Sequence, residues 1–385
     1  MTSQRGPRYH LVEDVDSLGD CVDALWENRC FYLDTEFESN RKGTRLCLIQ
    51  LRAKDDIYLI DPLAIDDLRD LSELLSGPSI EWVLHAGLQD VRLLTQELKI
   101  DLPGRLFDTQ IAYGLLSAES SVSLAYLQFK MLGVRSNKAH QADDWVRRPL
   151  PKSQLAYAAS DVEYLPKITE ELKTRAKERN RLDTLYAASL DTLNPAVEPP
   201  APLRMASFRN AWQLAPERQA ALEAIIHWYN DLPSRERLHA PENKALLSLA
   251  SRMPENLAAM SRIKGIGQRF LNDYGSTLLQ AMKKNLAAAQ EGDYQLLDPP
   301  AYATFEEIAL DGWLGKMKAD LALELGISPE LALPGRVTKR MKAAALTQGE
   351  IGILESLVGW REMLLLEPLR EYLTNQPLPE DATRS

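Results

Sequence analysis

The sequence predicts an α/β domain built on a mixed sheet, followed by two small all-α helical domains. Three observations predict it. Short apolar, β-branched or aromatic runs crowd the first part of the chain and vanish after Pro202. Two proline-rich breaks divide the chain, and the charge balance changes sign across each of them. At 385 residues and 45% hydrophobic content, the chain exceeds one ordinary core and can fill several.

The elements follow in order. "CFYLDTEF", "RLCLIQLRA" and "DIYLIDP" are strand-like runs whose connections are too short for crossover helices, so these three are expected to pair antiparallel. "EWVLHA" begins a region where strands alternate with stretches of helical period, which permits parallel pairing. The breaks "NPAVEPPAP" (Asn194 to Pro202) and "LLDPPAY" (Leu296 to Tyr302) suit semi-rigid linkers. They set expected domains at residues 1–193, 203–290 and 300–377. Beyond the first break come amphipathic segments such as "ERQAALEAIIHWYNDL" and "NKALLSLASRM". A weak internal repeat lays Ser261–Leu279 over Glu355–Leu373, with Gly265 opposite Gly359. The second copy has lost the Gly-Ile-Gly turn.

The net charge of −10 argues against wholesale coating of nucleic acid, but its distribution is uneven. Residues 1–201 hold 24 Lys+Arg against 32 Asp+Glu, residues 202–290 hold 12 against 7, and residues 291–385 hold 9 against 16. Only the middle segment is basic. The three cysteines, Cys21, Cys30 and Cys47, fit neither a disulfide framework nor a metal spacing. The opening "MTSQRGPRYHLVED" carries no apolar signal segment, and no run approaches the roughly 18 apolar residues of a membrane span. A soluble, cytoplasmic protein with no membrane partner is expected.

The chemistry begins at "FYLDTEFE". Asp34 and Glu36 stand two apart on a core strand, so their carboxylates share a face about 7 Å apart along the chain. Like charges that close repel unless something positive joins them. "VLHAGLQDVRLL" places Asp90 at the start of a helix after a strand, and "LAYAASDVEYLPKI" places Tyr157 and Asp161 four apart on one helical face. Walker-type glycine loops, His-Glu-x-x-His and Gly-x-Ser-x-Gly are all missing. Four carboxylates and a tyrosine could converge. Hard divalent ions prefer such oxygen ligands, and a pair of them can activate water against a phosphodiester.

Each residue also has a structural reading. Asp34 and Glu36 could pair with Arg41 or Arg45, Asp90 could cap a helix, and Tyr157 could be a core tyrosine with its hydroxyl at the surface. His85 reads as a satisfied core histidine and Asp108 as a helix N-cap, so neither enters the catalytic set. Lys138 and Gln141, in the polar loop "KAHQADDW", could touch substrate phosphate or sugar. In "KGIGQRF", a glycine turn opens a helix beside Lys264 and Arg269 and could present backbone amides to a phosphate. A plain helix-helix turn is the alternative.

"LDTEF", "HAGLQD" and "YAASD" resemble, in order and spacing, the three exonuclease motifs of the DEDD superfamily, in its subgroup with a tyrosine four residues before the last aspartate. The intervening "KAHQADDWVRRPL" and the layout that follows are similar to the ribonuclease D family across nearly the whole chain. Residues 215–283 resemble its helicase-and-RNase-D C-terminal (HRDC) domain, and 300–375 a degenerate second copy. The resemblance implies an RNase H-like mixed sheet. It also implies that Asp34, Glu36, Asp90 and Asp161 are metal ligands and that Tyr157 orients the attacking water. By the same resemblance the chain is a 3′→5′ exoribonuclease that uses two divalent ions, Mg²⁺ or Mn²⁺, and releases nucleoside 5′-monophosphates. RNA is the implied partner, with tRNA precursors the expected substrate, and the chain is expected to act as a monomer. A DNA exonuclease of the same superfamily and a non-catalytic RNA-binding scaffold are the rival readings.

Overall fold

The computed structural model describes residues 7–40, 43–135, 143–193, 202–208, 210–237, 240–290 and 304–379. Lys138, Gln141 and Arg41 lie outside the described residues. By packing, the chain divides into two compact units. One comprises residues 1–38, 45–194 and 305–385, and the other residues 39–44 and 195–304.

The first unit holds a sheet of strands β1 (His10–Val12), β2 (Cys30–Asn40), β3 (Gly43–Ala53), β4 (Asp56–Ile60), β5 (Glu81–Leu84) and β6 (Arg105–Asp108), in the order β1-β4-β3-β2-β5-β6. β2 and β3 are neighbours in the sheet. β3 and β4 are antiparallel, with Gln50 opposite Leu59. β5 lies parallel to both β2 and β6, and β1 parallel to β4. The mixed sheet is therefore as the sequence predicts. β1 and β6, of three and four residues, are additions to the strands read from it. Among the described residues no strand follows Asp108.

The sheet is buried on both faces. On one, Phe31, Leu33, Leu51 and Trp82 pack with Leu18, Leu71 and Leu94 from the helices Val15–Leu25, Arg69–Leu75 and Leu88–Leu98. On the other, Leu48 and Leu59 meet Leu155, Ala159 and Val162 of the helix Lys152–Glu163. Val83 and Phe107 meet Ile168 and Leu185 of the next two helices, Leu165–Glu178 and Leu182–Asp191. Double coverage explains why β5 reads as a continuous apolar run rather than an alternating one. On β2 the alternation survives. Phe31, Leu33 and Thr35 turn to the first face, and Tyr32, Asp34 and Glu36 to the second.

Residues 304–379 have their own core, in which Leu314, Met317, Met341, Ile353 and Leu369 join the helices Phe305–Leu325, Gly335–Glu355 and Trp360–Asn375. They also dock on the sheet-bearing part of the same unit. Trp360, 2% exposed, belongs to the cluster of Phe107, Tyr113, Leu185 and Ala188. Its backbone N–H donates to Asp191 at 2.7 Å, and Ser328 N–H to the Gly114 carbonyl at 2.7 Å. Arg179 and Arg181 donate to the carbonyls of Gly326 and Leu325, at the end of the first of these helices. Such donors are what unsatisfied C-terminal carbonyls require.

The second unit is all-helical in its residues 202–290. Helix Pro216–Asp231 starts with proline at its first position and packs on Asn243–Arg252 and Ser276–Gln290 around Leu222, Ile225, Leu249, Met260 and Leu278. The turn at Gly265 takes a left-handed φ of +91°, and Gly267 caps the short helix Gln268–Phe270.

Candidate active site

Three stretches of chain deliver the five predicted residues to one place. Asp34 and Glu36 come from β2, Asp90 from the first turn of the helix Leu88–Leu98, and Tyr157 with Asp161 from successive turns of the helix Lys152–Glu163. All five line one cleft of about 490 Å³, together with His85, Gln89, Gln110, Ser123, Leu124 and Gln128.

The turn that presents Asp90 is held by a residue that is not itself in the cleft. Asp108 caps the helix Thr109–Gly114, accepting from Gln110 N–H at 2.8 Å, and also accepts from Ala86 N–H at 3.1 Å and Gly87 N–H at 2.9 Å. One carboxylate thus fixes both the 85–87 turn and the neighbouring helix. Glycine is required at 87, because a Cβ there would meet Leu84 Cβ at 2.5 Å. His85 spends both ring nitrogens structurally, Nδ1 on the Thr109 hydroxyl at 2.9 Å and Nε2 on the Val122 carbonyl at 3.0 Å. Burial lowers its pKa, which keeps it neutral.

Two supports were not read from the sequence. Thr35, between the two strand acids but on the opposite face, donates its hydroxyl to Asp90. Its signal was a lone hydroxyl facing an apolar core. Trp145, 2% exposed, leans on Tyr157 with ring centroids 6.3 Å apart. The segment carrying it is pinned by Arg148, which ion-pairs with buried Asp61 and donates to the Cys47 carbonyl at 2.7 Å.

The electrostatics are those of crowded, desolvated acids. Burial first, then Asp90, Asp161 and Glu36, push the Asp34 carboxyl well above the ordinary carboxylate range. Burial and the charges of Asp161 and Asp90 lift Glu36 to about 8. Burial lifts Asp161 to about 7 against the hydrogen bond from Tyr157. Asp90 is raised by burial and lowered in turn by Thr35. Tyr157 is pushed up by burial and by the surrounding acids, so its hydroxyl keeps its proton at neutral pH. Among the described residues no three acidic, histidine or cysteine side chains already stand as a closed ligand cage. The donor set is nonetheless all oxygen, the chemistry a hard divalent cation takes, and positive charge would relieve the repulsion.

Lys264 and Arg269 are exposed residues of the second unit, and Arg269 lies 3.6 Å from Asp273.

A mixed sheet carrying four acids and a tyrosine in one cleft defines a class, the 3′-5′ exonucleases, and residues 9–177 match the family model of that description. Residues 241–282 match the model of the HRDC domain. The chain is 30% identical over 296 residues to the ribonuclease D of Gluconacetobacter diazotrophicus, covering 73% of each. It is 29% identical over 387 residues to the ribonuclease D of Escherichia coli, covering 96% of this chain and 99% of that one. The crystal structure of Escherichia coli RNase D, described as an exoribonuclease involved in structured RNA processing, aligns with a TM-score of 0.66 at 28% identity, covering 96% of this chain and 100% of that one. A protein from Bifidobacterium adolescentis shares the fold, with a TM-score of 0.61 at 20% identity over 96% and 98% of the two chains. This chain belongs to the ribonuclease D family and is a 3′→5′ exoribonuclease.

Proposed function

We propose that Asp34, Glu36, Asp90, Tyr157 and Asp161 are the catalytic set, and that the enzyme trims the 3′ extensions of structured RNA, tRNA precursors above all, one nucleoside 5′-monophosphate at a time. The observation that carries the site is the convergence of these five side chains from three separate stretches on one cleft. The four carboxylates would hold two divalent ions, Mg²⁺ or Mn²⁺. When bound, such ions supply an activated water and charge stabilisation for the departing 3′ oxygen.

The chain's own groups do the rest. Tyr157 keeps its proton and so acts as a hydrogen-bond donor that orients the attacking water rather than as a base. Trp145 fixes the Tyr157 ring, and Thr35 fixes Asp90. The basic residues of segment 203–290, Lys264 and Arg269 among them, contact the body of the RNA, and Lys138 and Gln141 contact the nucleotides entering the cleft. In this reading 1–193, 203–290 and 300–377 are three modules, the last a diverged second HRDC copy. The enzyme works as a monomer in the cytoplasm, a reducing compartment that suits the free Cys21, Cys30 and Cys47.

The test incubates the protein with 3′-extended tRNA, unstructured RNA and single-stranded DNA, with and without Mg²⁺, and identifies the products. Release of 5′-monophosphates from the tRNA extension, dependent on metal, is expected. Asp34→Asn and Asp161→Asn should abolish turnover while remaining folded, and near-normal activity in either would sink the assignment.

A further inference from the structure

The acids of the cleft repel the polymer that the enzyme cuts. Among the described residues lining the cleft none is a lysine or an arginine, so the phosphates behind the scissile bond find no cationic side chain there. One wall of the cleft is the helix Leu124–Leu132, which supplies Leu124, Ala125 and Gln128 to the lining. Phe129 follows Gln128 and stands one helical turn beyond Ala125, so it continues that wall outward. It is 50% exposed and joins none of the described cores.

The turn that ends this helix also furnishes a cation. Gly133 takes a left-handed φ of +68°, its N–H donates to the Phe129 carbonyl at 3.0 Å, and Val134 N–H donates to the Gln128 carbonyl at 3.4 Å. Such a cap reverses the chain. It brings Arg135 back over the Phe129 ring, with the guanidinium 5.5 Å from the ring centroid. Arg135 is exposed and forms no ion pair among the described residues. Between Leu124 and Arg135 the chain carries two cations, Lys130 and Arg135, and no acid, within a region whose charge balance is otherwise negative. An exposed ring beside a free guanidinium suits single-stranded nucleic acid, since the ring takes a base and the cation takes a phosphate.

We propose that Phe129 and Arg135 form a second subsite, for the single-stranded RNA just behind the 3′-terminal nucleotide. A base stacks on the exposed side of the Phe129 ring, and Arg135 pairs with the phosphate beside it. The proposal rests on the cleft being the active site, because continuity with that cleft is what makes RNA the occupant. Stacking accepts every base, so the subsite fixes how the strand enters and not which sequence is cut. Neither side chain touches a reacting atom, and the loss of either falls on KM.

The experiment follows release of the first nucleotide by the full-length protein with Mg²⁺. The substrate is a single-stranded oligoribonucleotide in which one abasic nucleotide is walked inward from the 3′ end. Wild type is compared with Phe129→Leu, Phe129→Tyr and Arg135→Gln, each melted in parallel. In the wild type an abasic nucleotide at one position behind the terminus should raise KM about tenfold, or ~1.4 kcal/mol, as for a lost base–aromatic stack. Phe129→Leu should raise KM by a similar factor on the intact strand and be indifferent to the abasic nucleotide at that position, while Phe129→Tyr keeps the wild-type pattern. Arg135→Gln should lower the salt slope of binding by about 0.7, for one single-strand phosphate no longer neutralised. Melting temperatures should not move, because both side chains are exposed. An abasic scan that is the same in wild type and Phe129→Leu overturns the proposal, and so does an unchanged salt slope in Arg135→Gln. A sharp fall in melting temperature with equal losses on every strand would make Phe129 a structural residue and overturns it too. Turnover surviving in Asp34→Asn would instead fault the active site itself, a failure that none of these readouts mimics.

Discussion

The two helical regions make an instructive pair, because they align weakly in sequence and carry a left-handed glycine at matching positions. Gly265 has φ +91° and Gly359 has φ +60°. In residues 202–290 the glycine is followed by Ile266 and Gly267. Ile266 enters that region's own core, and open space surrounds the missing Cβ of Gly267. In residues 304–379 the corresponding pair is Trp360 and Arg361. Trp360 leaves its own region's core for the cluster beneath the exonuclease sheet, and buried Arg361 stacks on it at 4.5 Å while donating to the Ala332 carbonyl at 2.7 Å. A glycine with positive φ thus serves two ends. Two substituted side chains separate a turn with cationic neighbours at Lys264 and Arg269 from a turn that fastens a domain.

Deletion is the hardest test of that contrast. Removing residues 304–385 should strip Trp360 and the partners of Arg179 and Arg181, leaving Phe107 and Leu185 uncovered. The remaining chain is expected to lose its cooperative thermal transition and its activity. Replacing residues 203–290 by a flexible linker should keep turnover of a short unstructured RNA. If both truncations behave alike, the contrast fails.

Single residues sharpen it. Trp360→Ala should cost the exonuclease unit about 3–5 kcal/mol, read as an earlier loss of activity on heating and in chemical denaturation. Ile266→Ala, its counterpart, should disturb only the middle helices and leave the midpoint of the exonuclease unit in place.

Metal and pH should also separate the units. Glu36 at about 8 and Asp161 at about 7 bind protons more tightly folded than unfolded. Between about pH 4 and pH 8 the folded form then holds more protons, so metal-free stability of the exonuclease unit should fall as pH rises through that window. Divalent metal should reverse the loss, by roughly 2.7 kcal/mol at a hundredfold excess over the dissociation constant. A melting profile in chelator that is flat or rises across this window would contradict the crowding of the acids.

The smallest expected effect is on the basic turn. Lys264→Glu with Arg269→Glu should weaken binding of 3′-extended tRNA and lower the salt slope by about two, one for each phosphate that is no longer neutralised. Hydrolysis of a short oligonucleotide should be untouched.

The acids were legible because their constraints are local. Two carboxylates on one strand face, an acid in a helix's first turn and a tyrosine one turn before an aspartate are each fixed by period alone. β1 and β6 were not, because three or four residues are too few to show a period, and "RLFD" runs straight into a helix that Asp108 caps. The seat of Trp360 was not legible either, because periodicity states which face of a helix is buried and never against what.

The division of the chain has a consequence for its birth on the ribosome. The exonuclease unit is discontinuous, its last part lying beyond the whole of the middle unit. Synthesis at about 5–20 residues per second means that roughly 8–33 s separate the emergence of Asn194 from that of Trp360. Throughout that interval the sheet and its helices exist without Trp360, and the apolar seat formed by Phe107, Tyr113 and Leu185 faces solvent. The middle domain can meanwhile fold on its own core. The nascent enzyme therefore passes through a stage in which its newest domain is finished and its oldest is not, and that open seat is where a chaperone would be needed.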